Sequence, residues 1–199
     1  PGSLTIDLST ATASCAAGGT IEVTVNTVVV GGPYFFAIYQ DLSPANPPYP
    51  VYPSPGYQPA DVPGGLTSTF TGLTPGVVYT FIVYDQSTNC YYFETATGPV
   101  PTNSTITSTV VPNNVTCTGL ADGSATVTFQ GYQGTSVSYQ IFTALNNVSV
   151  GPIGTSAGLT GTPVTINNFG FLPPGVYYVL FTENDGPNVA CSQTTVNFT

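Results

Sequence analysis

One internal repeat limits what this 199-residue chain can fold into. In the first copy, a Thr-Pro-Gly turn at residues 74–76 precedes an apolar segment, 77–84, and a polar loop that ends at Cys90. The second copy has a similar pattern at residues 172–181, followed by Cys191, which is 101 positions after Cys90. A repeat of this length is a whole domain rather than one unit of a solenoid. The sequence therefore predicts two domains, each long enough to enclose its own core.

The other two cysteines repeat with a similar offset. Cys15 and Cys117 are 102 positions apart, and each precedes a segment in which apolar and polar residues alternate. Four cysteines allow three pairings, and the repeat favours pairing within each copy, Cys15–Cys90 and Cys117–Cys191. The alternative is four free, buried thiols in a cytosolic protein, but free thiols have no reason to recur at matched spacing. The sequence thus predicts one disulfide bond per domain.

Short alternating segments separated by turn residues indicate an all-β fold. No segment has a helical period, and this pattern is typical of β-sandwiches. We predict one sandwich at residues 1–98 and another at 99–199, joined by a short proline-bearing linker at 98–102. The predicted strands are 4–8, 20–25, 34–39, 66–71, 77–84 and 91–95 in the first domain, and 106–111, 124–130, 137–143, 163–167, 176–182 and 193–198 in the second.

Residues 41–63 differ from the rest of the chain, because they contain eight prolines together with Tyr49, Tyr52 and Tyr57. Proline removes a hydrogen-bond donor from a sheet, so we predict a long loop that is partly polyproline II. Three roles are open for it: a ligand for an aromatic groove, a tyrosine platform that binds sugars, or a loop whose tyrosines pack on the sheet. Its counterpart, residues 144–162, is rich in Gly, Asn and Ser and is also predicted to be a loop.

The charge composition excludes several classes of partner. The chain has nine acidic residues and no Lys, Arg or His, which gives a net charge of −9. Such a surface cannot neutralise the phosphates of nucleic acids or bind an anionic membrane. No apolar run is long enough to span a membrane, and no signal peptide is recognisable, so we expect a segment of a longer exported protein. The absence of trypsin sites and the predicted disulfide bonds indicate an extracellular location.

Three motifs carry a family resemblance. They are Cys-Thr-Gly-Leu-Ala-Asp-Gly-Ser-Ala-Thr-Val at 117–127, Gly-Gly-Pro-Tyr-Phe at 31–35, and Gly-Leu-Thr-Pro-Gly at 72–76 followed by Asp85 and Cys90. In combination they resemble the SprB-type repeat, which occurs in tandem in giant surface adhesins of gliding Bacteroidota that the type IX system exports. The second copy departs from that pattern at 131–134. The resemblance implies two tandem immunoglobulin-like β-sandwich modules and a cell-surface role, and it supplies no catalytic residues.

The residues offer little for catalysis. Nucleophilic catalysis requires a base beside the nucleophile, and the chain has neither His nor Lys. Glu183 and Asp185 are the nearest approach to the paired carboxylates of glycosidases, but they lie in one loop of a small sandwich. That loop and the matching loop after Asp85 have the oxygen ligands that calcium prefers, and the alternative is that both are solvated turns. We predict no enzyme, no cofactor and no metal site; Asp85, Glu183 and Asp185 are the calcium candidates.

Two functions are compatible with these features. The first is a structural display segment of a giant adhesin, which extends from the cell surface and uses exposed tyrosines to attach to surfaces or polysaccharides during gliding. Its partners would then be neighbouring repeat modules of the same chain. The alternative is a subunit of an extracellular filament or pilus, in which residues 3–8 or 105–111 complete a neighbour's sheet by strand donation.

Overall fold

The structure is a computed structural model that describes residues 5–9, 12–26, 31–39, 52, 56–116 and 121–199. The chain divides into two compact units. The first unit comprises Pro1–Ala13 and Ala17–Pro101, and the second comprises Ser14–Ala16 and Thr102–Thr199. Regular structure in the described residues is almost entirely β-strand, arranged in antiparallel sheets, so the predicted all-β sandwich class is confirmed.

Residues 5–95 contain eight described strands in two sheets. The strands are β1 (Thr5–Leu8), β2 (Thr12–Ser14), β3 (Gly18–Asn26), β4 (Tyr34–Ile38), β5 (Gln58–Pro59), β6 (Thr67–Leu73), β7 (Thr80–Asp85) and β8 (Cys90–Thr95). In one sheet, β3 pairs with β1, β2 and β6. The other sheet has the order β5-β4-β7-β8, so β4 and β7 lie at its centre.

Residues 107–194 contain seven described strands, which also form two sheets. The strands are β9 (Thr107–Asn113), β10 (Gly123–Gln130), β11 (Ser136–Thr143), β12 (Ser149–Ala157), β13 (Val164–Leu172), β14 (Tyr177–Glu183) and β15 (Ser192–Thr194). One sheet has the order β13-β10-β9 and the other β12-β11-β14-β15. The second unit therefore repeats the strand order of the first, with β2 as an addition. Two antiparallel sheets around one apolar core form a β-sandwich in each unit.

Alternation along the central strands creates the two cores. In β10, Ala125, Val127 and Phe129 are buried, whereas the Ser and Thr residues between them are half-exposed. The Phe129 ring packs against Phe181 from the facing sheet, with ring centroids 4.9 Å apart. In the first unit Phe70 and Phe81 meet in the same way, at 5.1 Å. Burial of these apolar side chains is the main stabilisation of each sandwich.

The segment predicted as a linker packs into the first unit instead. Val100 is 1% exposed and belongs to the apolar core of that unit. Its N–H donates to the carbonyl oxygen of Val77 at 2.9 Å, and its carbonyl accepts from the N–H of Gly76 at 2.8 Å. The chain after β8 therefore continues to pair with the residues before β7, and the prediction of a spacer at 98–102 is wrong.

The disulfide pattern also differs from the prediction. Cys15 is bonded to Cys191, with Cα atoms 4.5 Å apart, whereas Cys90 is an exposed free thiol. The predicted Cys15–Cys90 and Cys117–Cys191 pairs are therefore wrong, and Cys117 itself lies outside the described residues. Ser14–Ala16 belongs to the second unit, and there Cys15 meets the buried Cys191 rather than Cys90. Matched spacing indicates equivalent positions in two repeats, but it does not determine which cysteines meet.

Candidate functional site

The outer surface of the β5-β4-β7-β8 sheet is aromatic. The register places Phe35 of β4 opposite Tyr84 of β7, and Tyr84 opposite Tyr91 of β8. The rings of Tyr84 and Tyr91 are 4.9 Å apart. Since side chains alternate along a strand, these three rings form one row on the face that points away from the core. The outer face of an isolated sandwich is ordinarily polar, so this row requires a cover or a partner.

Tyr52, from the proline-rich segment, lies on this row. Its ring stacks on Phe35 with centroids 4.0 Å apart and on Tyr84 at 5.0 Å. Its backbone N–H donates to the hydroxyl of Tyr91 at 3.0 Å. Offset stacking and a hydrogen bond together fix one orientation of this tyrosine on the sheet.

Tyr57 completes the cluster from the other end of the same segment. Its ring meets Tyr52 edge-on at 5.9 Å and, with Tyr91, packs over the buried side chains of Ala37 and Ile82. Its hydroxyl is buried and has no hydrogen-bond partner among the described residues. Burial raises the pKa of this phenol well above its ordinary value.

We call Phe35, Tyr52, Tyr57, Tyr84 and Tyr91 the aromatic face. Of the three tyrosines singled out in the sequence, Tyr52 and Tyr57 are half-buried within it, as expected for a loop whose tyrosines pack on the sheet. Tyr49 lies outside the described residues. The strand partners were missed, although the aromatic pairs in β4 and β8 were a usable signal. Consecutive aromatic residues in a strand place rings on both faces of the sheet.

A second site lies at the end of β7, where Asp85 is 2% exposed. One carboxylate oxygen accepts hydrogen bonds from the Gly32 N–H at 2.9 Å and from the N–H and hydroxyl of Ser87 at 3.0 and 2.8 Å. The other accepts from the Thr88 hydroxyl at 3.0 Å. Burial acts to raise the pKa of Asp85, but these hydrogen bonds outweigh it and hold the pKa below its ordinary value.

The second unit has a carboxylate at the corresponding strand end. Glu183, the last residue of β14, is fully buried, and its Oε2 accepts from the N–H groups of Gln133 at 2.7 Å and Gly134 at 3.3 Å. Asp185 accepts from the hydroxyl and N–H of Thr135 at 2.6 and 2.7 Å. The Thr135 hydroxyl, followed by its N–H, lowers the pKa of Asp185.

These contacts define the chemistry of the calcium candidates. The oxygens of Asp85 and Asp185 accept several donors from their own unit, and one oxygen of Glu183 does the same. The neighbouring amides are engaged as well: Asn89 accepts from the Tyr84 hydroxyl at 2.7 Å, and Asn184 from the Ser138 hydroxyl at 2.9 Å. No group of three or more His, Cys, Asp or Glu residues suited to a metal occurs in the described part of the chain. The geometry therefore indicates that the carboxylates of Asp85, Glu183 and Asp185 stabilise turns of their own units.

Comparisons with known proteins add no identity. No family model matches the chain, and no curated protein matches it significantly. Among the described residues, the structure has no helix with the length and apolarity needed to cross a membrane.

Proposed function

We propose that this chain is a structural display segment of a large extracellular adhesin and has no enzymatic role. The observation that carries the proposal is the repetition of one sandwich plan, since the strand order of the first unit recurs in the second. We infer from this repetition a role in extension and display rather than in catalysis. The SprB-type motifs at 31–35, 72–76 and 117–127 support the same role.

An extracellular location has two supports. The Cys15–Cys191 bond is of a kind that persists in oxidising compartments. The chain also lacks Lys and Arg, so it presents no cleavage site to trypsin-like proteases. Both properties suit a segment that stays outside the cell.

The pairing of the first strands favours an adhesin over a filament subunit assembled by strand donation. The candidate donor segments were residues 3–8 and 105–111. β1 lies in the first and pairs with β3, while β9 overlaps the second and pairs with β10. Both strands are thus already part of their own sheets, and donation would require each of them to leave its sheet.

We propose the aromatic face as the contact with surfaces or polysaccharides. Tyrosine combines a flat apolar ring with a polar hydroxyl, which suits the faces and hydroxyl groups of sugar rings. Tyr52 and Tyr91 each keep part of their surface exposed. The neighbouring Phe93 adds an exposed ring on the same sheet surface, opposite Ile82 in the register.

Antibody labelling of intact cells tests the location. An antibody raised against the 199-residue chain should label cells that express it without prior lysis, and trypsin treatment should leave the labelled segment uncut. Proteinase K should remove the label. Labelling that requires lysis would rule out the display role.

Attachment of coated beads tests the aromatic face. Beads carrying the Tyr52→Ala variant should attach less to polysaccharide-coated surfaces than beads carrying the unchanged chain. Phe171→Ala is the control, because Phe171 is an aromatic residue of the second unit with 86% of its surface exposed. Equal attachment of the unchanged chain and the two variants would show that the aromatic face is not the contact. The proposed display role does not depend on this result.

A further inference from the structure

The Cys15–Cys191 bond joins positions 176 residues apart in sequence. A covalent bond between two points of a chain transmits tension directly from one to the other. The polypeptide between those points then bears no load, whatever its fold. Here the bypassed segment is residues 16–190, which contains every strand from β3 to β14.

We propose that this bond makes the chain a tether of limited length, in which a pull on the two ends passes through the sulfur–sulfur bond and leaves the strands from β3 to β14 without load. The inference rests on the proposed display role, since a segment held between a cell and a surface is a segment under tension. The load path itself is a property of the covalent structure, so it can be measured on the isolated chain.

Only the flanks beyond the two cysteines remain in the load path. On the first side β1 is paired with β3, from Thr5 opposite Asn26 to Leu8 opposite Val23. On the other side β15 pairs with β14, and Phe198 exchanges two backbone hydrogen bonds with Tyr177, at 2.8 and 2.9 Å. These short pairings are the parts that a pull would separate first.

The expected extension follows from the number of residues in the flanks. Fourteen residues precede Cys15 and eight follow Cys191. At about 3.5 Å per extended residue, they can release roughly 80 Å. If the bond were absent, the 176-residue interval would add roughly 600 Å more. The two cases differ severalfold in measured length.

Optical tweezers can separate these cases on the full chain, held through peptide tags added at both ends. In the absence of reductant, the total gain in length should stay near 80 Å up to the rupture of the tether. Cys191→Ser should release several hundred ångströms in further steps. Cys90→Ser is the matched control: it removes the exposed free thiol, prevents thiol–disulfide exchange, and should behave as the unchanged chain does.

A second measurement covers the case in which Cys191→Ser does not fold. A dithiol added to an unchanged, stretched chain transfers two electrons and two protons to the disulfide, yields two thiols and closes to its own cyclic disulfide. The same molecule should then lengthen by the additional interval. Release of several hundred ångströms before any reductant is added would overturn the proposal.

Peptide mapping under non-reducing conditions checks the bond itself. Chymotrypsin, which cuts after Tyr and Phe, should yield a linked pair of peptides containing Cys15 and Cys191. A Cys15–Cys90 link would overturn the length limit. Failure of the cell-labelling experiment would instead remove the display role and leave the measured length limit unchanged.

Discussion

The carboxylate of Asp85 accepts a hydrogen bond from the backbone N–H of Gly32 at 2.9 Å, which ties the end of β7 to the turn before β4. Glu183 has the same relation to Gln133 at 2.7 Å, between the end of β14 and the turn before β11. A buried carboxylate ordinarily requires a cation or several donors. Because the chain contains no Lys, Arg or His, backbone amides and hydroxyl groups take that role in both units.

Replacement of Asp85 tests this relation. Asp85→Asn keeps the size of the side chain but puts an NH2 group against donors that now meet a carboxylate oxygen. We expect the free energy of unfolding to fall by about 1–3 kcal/mol, as for other losses of buried hydrogen bonds to charged groups. Urea denaturation measures this free energy of unfolding. Glu94→Gln is the control, because Glu94 is an exposed acid of β8. Equal midpoints for the two variants would contradict a structural role for Asp85.

The acid side of the stability profile follows from three aspartates. The pKa values of Asp85, Asp122 and Asp185 are all lowered in the folded state. Their contribution to stability is therefore complete above the unfolded-state pKa of about 3.9, and it is lost as the pH falls through the folded-state values. Urea midpoints should be level between pH 5 and 9 and should fall below about pH 4. Asp85→Asn should weaken this acid dependence, and an unchanged slope would contradict the assignment.

The alkaline side depends on buried tyrosines. Burial raises the pKa values of Tyr34, Tyr57 and Tyr177 above the ordinary value of about 10 for a tyrosine. The folded state thus favours the neutral phenols, and the stability that they contribute is present below pH 10 and lost as the pH rises through the folded-state values. Absorbance of tyrosinate during a pH titration should show a group of phenols that ionise only together with unfolding. Complete ionisation of all tyrosines in the folded protein would contradict this.

Two hydroxyl deletions should have opposite effects. The Tyr57 hydroxyl is buried with no partner in the described part of the chain, so Tyr57→Phe should be neutral or stabilising, by up to about 1 kcal/mol. The Tyr132 hydroxyl donates to the Thr162 carbonyl at 2.7 Å and accepts from the Gly161 N–H at 3.0 Å. Tyr132→Phe should therefore cost about 1–2 kcal/mol. Thermal or urea unfolding compares the stabilities of the two variants. Equal losses of stability would show that the Tyr57 hydroxyl has a hydrogen-bond partner.

A double-mutant cycle tests the packing of Val100. A β-carbon added at Gly19 would lie 2.2 Å from Cγ1 of Val100, so Gly19→Ala should destabilise the first unit by about 1–3 kcal/mol. Val100→Ala should also destabilise it, because it leaves a cavity in the core. In the double variant the smaller side chain makes room for the new methyl group, so the combined loss should be less than the sum. Additive losses would place Val100 away from Gly19.

Much of the fold could be predicted from the alternation of apolar and polar residues along the sequence. The strands predicted at 20–25 and 124–130 lie within β3 and β10, because their apolar residues fall on one face. β12 was missed, since Gly and Pro in 144–162 indicated a loop. In the structure Gly154 lies opposite Tyr139, and a β-carbon there would lie 2.2 Å from an atom of that ring. The glycine makes room for a ring in a paired strand, and no local pattern reveals such a contact.

The site was less predictable because it depends on long-range register. The sequence drew attention to Tyr52 and Tyr57, but only pairing among β4, β7 and β8 brings Phe35, Tyr84 and Tyr91 into one row beneath them. Asp85 was predicted as a calcium candidate in a loop, whereas it is the last residue of β7 and accepts from the N–H of Gly32, 53 positions away. Contacts across such intervals are set by topology rather than by neighbouring residues.

The distance in sequence between Cys15 and Cys191 also orders the events of biosynthesis. The bond cannot close until Cys191 has been synthesised and delivered to an oxidising compartment, 176 residues after Cys15. Any strand pairing that forms before then depends on packing and hydrogen bonds alone, because a disulfide contributes only after its loop has closed. Oxidation to this pair is therefore a late event in synthesis, and an oxidant that acts earlier finds only Cys90 and Cys117 as partners for Cys15.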